Sequence, residues 1–211
     1  MKRLSIKILL LVSVLALLTT TLFAEENDKD KIVTDIMLQS LQMWHYNPNP
    51  IDEHLSQRIF RLYLKNLDPN KQFLLKSDVK HLKNYENQLD KQLKNESYDF
   101  YNMSKIILQQ RITETSLIVQ ETLAKPFDFS VKESFETDPE KRDFPDGPQG
   151  LREYWRLNLK YQTLLTYLEI INTSKSQSNT QKADEEINLN QPFHPEIERQ
   201  AREKVAQNFK R

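Results

Sequence analysis

Apolar residues recur every three or four positions through most of this chain, which is the period of a helix face. From about Asp30 to Tyr46, Val33, Met37 and Leu41 fall four apart with Ile32, Ile36 and Trp44 beside them, and "NPNP" ends the pattern. A second helix begins near Asp52, with Leu55, Ile59, Leu62, Tyr63 and Leu67 on one face. A third opens at Ser77 or Asp78, either suited to accept from a free N–H at a helix start, and carries Val79, Leu82, Tyr85, Leu89 and Leu93. The fourth, from about Phe100 to Ala124, is apolar beyond a single stripe (Met103, Ile106, Ile107, Leu108, Ile112, Leu117, Ile118, Val119), which places it centrally. The fifth runs from Leu151 to about Ile171 with Leu151, Trp155, Leu159 and Leu165 inward and Tyr154, Tyr161 and Tyr167 bordering them. A last helix follows His194, with Pro195 in its first turn and a stripe of Ile197, Ala201, Val205 and Phe209 that looks unfinished.

Three intervals interrupt this pattern. In "LDPNKQFLLKSDV" (67–79), Asp68 and Pro69 suit a turn, Phe73, Leu74 and Leu75 suit the core, and Ser77 suits a cap, so the stretch reads as a helix corner. On that reading Phe73→Ala destabilises by a few kcal/mol while changes at Asn70 or Lys71 are nearly silent. In "KPFDFSVKESFETDPEKRDFPDGPQG" (125–150), four phenylalanines sit among many charges; a loop this long reads as a strap held across the helices by its rings. "NTSKSQSNTQKADEEINLNQ" (172–191) is polar and low in complexity and reads as a flexible linker.

Composition narrows the fold further. The 211 residues include only two glycines, Gly147 and Gly150, too few for the turns of a sandwich, barrel or doubly wound sheet. The fold class predicted is all-α, an irregular bundle of about five to six helices with a long aromatic strap. Glycine scarcity also removes the phosphate-cradling loops, and the absence of cysteine removes disulfides, thiolate metal sites and cysteine nucleophiles. Thirty basic residues balance thirty acidic ones, so no net field draws the chain to nucleic acid. Lys2, Arg3 and Lys7 precede an uncharged run of 16 residues, Ile8 to Phe23, shorter than the ~20 apolar residues of a spanning helix. This predicts a signal peptide over 1–24 cleaved after Ala24, with an uncleaved anchor as the alternative because Leu22 is bulky for the cleavage site. The expected location is outside the cytoplasm, in a periplasm, anchored to the inner membrane if cleavage fails.

Candidate chemistry is thin. Ser77 with Lys80 and Ser174 with Lys175 are neighbours in sequence, but a serine nucleophile also needs a desolvated neutral lysine and an oxyanion hole. Ser77 is accounted for as a cap and Ser174 as part of the linker. His45, His54, His81 and His194 form no i,i+4 pair that would hold a metal. Asp128, Glu133, Glu136, Asp138, Asp143 and Asp146 interleave with Lys132, Lys141 and Arg142, a mixed solvated surface. No catalytic, cofactor-binding or metal-binding residue is predicted, and no cofactor.

Three stretches in order, "YLKNLDPNKQFLLKSDV", "KPFDFSVKESFETDPEKRDFP" and "LREYWRLNLKYQTL", resemble the N-terminal helical domain of the tail-specific proteases, also called carboxy-terminal processing peptidases. The resemblance covers about Asp30 to Ile171, and "AREKVAQNFKR" is similar to the helix that leads out of that domain. Together with the signal and linker read from the residues, it gives an expected division into signal peptide (1–24), helical domain (25–171), linker (172–191) and outgoing helix (192–211), the polar linker being a departure from the family's usual pattern. In that family a PDZ domain and a core with a serine nucleophile and lysine base follow, and no residue here matches that pair. The resemblance thus implies a non-enzymatic scaffold of an exported endopeptidase, whose partners are the PDZ and protease domains or a separate adaptor protein. The alternative is a stand-alone periplasmic module that binds a protein or peptide. Neither reading involves nucleic acid, and a membrane enters only through an uncleaved N-terminal segment.

Overall fold

The computed structural model describes Ile36, residues 50–177 and residues 193–209 of the chain. The expected signal peptide, nearly all of the first predicted helix and the linker beyond Gln177 lie outside these residues. Every regular element described is helical. In chain order they are α1 (Glu53–Leu67), α2 (Lys76–Leu82), a 3₁₀ turn (Lys83–Tyr85), α3 (Leu89–Lys94), α4 (Asp99–Leu123), a second 3₁₀ turn (Pro139–Lys141), α5 (Gly147–Gln177) and α6 (Pro195–Phe209). The all-α bundle read from periodicity is what forms.

Two apolar clusters hold it together, and α4 spans both. In one, Phe60 of α1, Leu82, Leu89 and Phe100 are buried, with Tyr63 and Tyr85 set against the Phe100 ring. In the other, Leu75 meets Ile118, Val119 and Leu123 of α4, Leu151, Trp155 and Leu159 of α5, and Val205 of α6. The stripe of the last helix is therefore complete: Ala201 and Val205 are buried, and the Phe209 ring meets Trp155 edge to face at 5.5 Å.

Helix ends differ from the sequence reading where side chains reach backbone at a distance. The third predicted helix is broken into α2, a 3₁₀ turn and α3. Gln88 turns back to donate to the Asn84 carbonyl, and α3 takes its start from α1: the buried Ser56 hydroxyl accepts from Asp90 N–H and donates to the Asp90 carboxylate. Ser77 is exposed and caps nothing. Leu75 stands at the cap position of α2, and the Asp78 carboxylate, three residues on, accepts its N–H at 2.8 Å. Ser77→Ala is accordingly expected to leave the melting temperature within about 1–2 °C of the parent, inside the ~0.5 kcal/mol of a surface change. Gly147, at φ +69°, sets the entry to α5 from a left-handed conformation that costs a glycine nothing, and the helix starts four residues before Leu151 and continues six past Ile171.

Several side chains placed inward by spacing are turned outward. Leu62 is exposed because α1 buries the face of Ser56 and Phe60 instead. Leu165 is exposed because each four-residue step from Leu151 through Leu159 advances the buried face by ~40°, carrying it away from Leu165 and toward Tyr167, which is buried. The breadth of apolar residues on α4 is only partly used, since Ile106, Ile112 and Leu117 remain exposed.

Candidate functional site: the corner, the strap and the closing helix

The densest polar chemistry among the described residues lies where the 67–79 corner, the strap and α6 meet. Asp68 does more than open a turn. It is buried at 2% exposure, and its two oxygens accept the backbone N–H groups of Gln72, Phe73 and Leu74 at 2.9–3.0 Å. That bundle of bonds holds the backbone in the tight path which drives Leu74 and Leu75 into the core. Phe73 is half-buried with its ring 6.0 Å from Trp155, whose indole N–H donates to the Gln72 carbonyl.

The strap is latched to this corner from both sides. Lys71, held at φ 47°, donates through Nζ to the Arg142 carbonyl at 2.6 Å, and Arg142 donates through Nη2 to the Asn70 carbonyl at 2.8 Å. The Arg142 cation lies over the Tyr154 ring at 4.7 Å, while its Nε and Nη1 are buried without a protein acceptor. Burial pushes the Tyr154 phenol up, with that cation opposing. Lys76 N–H donates to the Pro145 carbonyl, closing the strap's far end. The expectation that both Asn70 and Lys71 are replaceable is therefore corrected for Lys71. Asn70 offers only its carbonyl, whereas losing the Lys71 donor costs about 1 kcal/mol.

Ion pairs fasten the rest. Asp78 holds Arg111 of α4 through two bonds of 2.7 and 3.0 Å, which raises the guanidinium's pKa, and Glu114 adds a third. On the strap, Glu133 is gripped by Arg156 and Lys160 of α5; these cations, Arg156 first, lower its carboxyl pKa to about 2. Such a group favours the folded state above the ordinary carboxylate range and loses that contribution as pH falls through about 2. Glu133→Gln should flatten the fall of melting temperature between pH 4.5 and 2, with the parent's advantage greatest near neutrality and gone at the acid end. On α6, buried Glu198 accepts the Phe127 N–H and pairs with Arg202, which in turn donates to the Leu123 carbonyl at 2.6 Å. The strap's four phenylalanines are all half-buried. Phe129 stacks on Phe193 at 4.3 Å, and Phe135 lies between Tyr154 and Tyr161.

The serines and histidines weighed for chemistry do not come together among the described residues. Ser77 and Lys80 are both exposed, and Ser174 is exposed on α5 with its hydroxyl donating to the Ile170 carbonyl. His54, His81 and His194 are exposed and separate; His45 lies outside the described residues. Among the described residues no three histidine, aspartate or glutamate side chains gather as metal ligands, and no helix is long and apolar enough to cross a membrane. A cavity of about 420 Å³ lies beside the strap, lined by Lys125, Phe127, Val131, Glu133, Arg156 and Lys160. Of its three basic groups, Arg156 and Lys160 are already bound to Glu133.

Comparison with known proteins gives this arrangement a context. Residues 37–209 match the family model described as the tail specific protease N-terminal domain, a span that includes corner, strap and α6. The chain belongs to this family. A curated relative, the tail-specific protease of Haemophilus influenzae, is 27% identical over 139 residues, which is 64% of this chain and 19% of that protein. The chain thus spans about a fifth of its relative's length. Sequence reasoning found the segments of this tail-specific protease N-terminal domain but missed their fasteners. Asp68 resembles an ordinary turn residue, and Lys71 and Arg142 stand 71 residues apart with nothing local to link them.

Proposed function

We propose that this domain is the non-catalytic N-terminal helical scaffold of an exported tail-specific serine endopeptidase, supporting the protease core and helping to shape substrate access. The observation that carries this is how its buried polar side chains are used. Ser56, Asp68, Asp78, Asp90 and Glu198 each bind backbone or side chains of the domain itself, as rigid support requires. In this role the domain contributes no nucleophile and needs no metal or cofactor, and its partners are the PDZ and protease parts of such an enzyme, or an adaptor that docks on the scaffold.

The test is reconstitution. The chain is incubated with an unfolded protein bearing an apolar C-terminal tail, alone and together with the separately produced PDZ and protease portion of a tail-specific protease. No cleavage by the chain alone, and faster cleavage by the mixture than by the protease portion alone, supports the scaffold role. Turnover by the chain alone that survives Ser77→Ala and Ser174→Ala overturns it, as does a protease portion indifferent to the domain. Export is checked by N-terminal sequencing of the periplasmic protein, which should begin at Glu25; recovery of the intact N-terminus in the membrane fraction identifies an anchor instead. The stand-alone binding module rests on a different observation. Ile106 and Leu117 are exposed on one side of α4, eleven residues or about three turns apart, as an apolar docking stripe would be. Tight binding of the tail by the chain alone, without effect on the protease portion, selects that reading.

A further inference from the structure

The outward face of α4 carries no charge. Every exposed residue from Ile106 to Gln120 is aliphatic, a glutamine or a threonine, with Ile106 at 63% and Leu117 at 56% exposure. The charged residues of that span are turned the other way: Arg111 holds Asp78 of α2, and Glu114 holds Arg111. Thr113 and Ser116 donate their hydroxyls to the Gln109 and Ile112 carbonyls of their own helix, so neither needs water. In a chain with 30 basic and 30 acidic residues, such a face has the character of an interface core, from which charge is depleted.

A groove of about 460 Å³ opens from this face toward α6, walled by Ser116, Val119 and Leu123 of α4 and by Ala206 and Phe209 of α6. None of its lining residues is charged either. Helix geometry shows what fits it. Tyr101, 40% exposed, and Val119 are eighteen residues or about five turns apart, so they lie in line on one border of the face. Ile106 and Leu117, about three turns apart, lie in line on the other border. A twofold axis crossing α4 at the level of Arg111 and Ile112 sets a second copy antiparallel and matches each border with itself. Ile106 of each copy then meets Leu117 of the other. Each Tyr101, about 16 Å along the helix from the axis, comes level with Leu123 of the other copy, about 17 Å from it, where the groove lies. The face thus supplies both knob and hole, as an isologous contact requires. Carrying no charge, it sets no like charges against each other across the twofold.

We propose that this face is a self-association surface, on which two copies pack α4 against α4 antiparallel, with Ile106 against Leu117 and Tyr101 seated in the groove between α4 and α6. A helix pair of this length buries about 1,200 Å², the low end for a specific interface, so the dimer is weak and reversible. The inference is independent of the scaffold reading, and it seats a second copy where the stand-alone reading seats a tail.

The test is sedimentation equilibrium of the full chain over roughly 1–200 µM. The expected result is a monomer–dimer equilibrium with its midpoint at about 1–100 µM, weakened about tenfold or more by Leu117→Lys and by Tyr101→Ala, since the twofold repeats each loss. Both side chains are exposed, so the variants keep the parent's thermal transition. Orientation is read by cross-linking, the natural chain having no cysteine. Ile106→Cys chains mixed with Leu117→Cys chains should form a covalent dimer about tenfold faster than Leu117→Cys chains alone, whose thiols lie ~16 Å apart along the helices and beyond disulfide reach. A monomer throughout the range overturns the proposal, as does a dimer indifferent to Leu117→Lys. Equal trapping by Leu117→Cys alone also overturns it, because the contact is then parallel or unoriented. A monomer that holds the apolar-tailed unfolded protein, and releases it on Leu117→Lys, gives the face to a tail and overturns the proposal as well.

Discussion

Asp68→Ala lowers the stability of the domain by about 3–5 kcal/mol, the range expected when several backbone donors lose a buried ionic acceptor together. In a thermal melt of a domain of this size that is a fall of roughly 10 °C. The reason lies in what remains after the side chain is gone. Gln72, Phe73 and Leu74 keep their N–H groups pointed at a space that water reaches poorly, and the path that buries Leu74 and Leu75 loses its template. Asp68→Asn should cost roughly half as much, because its one remaining oxygen can still take two of the three donors while the amide NH₂ opposes the third. A melt within 2 °C of the parent for Asp68→Ala would show that the corner holds its shape by apolar burial alone.

Trp155→Ala has a comparable effect, about 3–5 kcal/mol, by a different route. Trp155 is 4% exposed and stands among Phe73, Tyr154 and Phe209, so truncation opens a cavity where the corner, α5 and α6 share one cluster. Trp155→Phe retains a ring but loses the donation to the Gln72 carbonyl, and about 1 kcal/mol is expected from that loss alone. A double-mutant cycle with Phe73→Ala should show coupling of about 0.5–1.5 kcal/mol, measured by denaturant midpoints at constant slope. Strict additivity would mean that the two rings are neighbours without being partners.

These two residues also mark how far the sequence could be read. Trp155 is legible as an inward residue because its signal is local: Leu151, Trp155 and Leu159 repeat every four residues, and α5 buries all three. Leu74 and Leu75 were legible for the same reason, as apolar residues just after a turn. In the sequence Asp68 reads only as a turn residue, since its burial is set by tertiary packing, which no local pattern records. Leu62 and Leu165 fitted their stripes and still point outward, because the width and drift of a buried face are set by neighbouring helices. The one long helix expected from Ser77 to Leu93 failed for a similar reason. Ser56 on α1 supplies the hydroxyl that lets α3 begin afresh at Leu89. The family resemblance identified the segments; the bonds between them are long-range and had no signature in any single stretch.

The grip of α6 on its neighbours has a mechanical side. Arg202 and Glu198 seize the backbone at Leu123 and Phe127, the few residues where α4 hands over to the strap. A load drawn along α6 would therefore arrive at that handover and pass into the strap, while α1 and α3, held by a separate apolar cluster, would feel little of it. Amide exchange at residues 123–127 would act as a strain gauge for whatever pulls on the last helix.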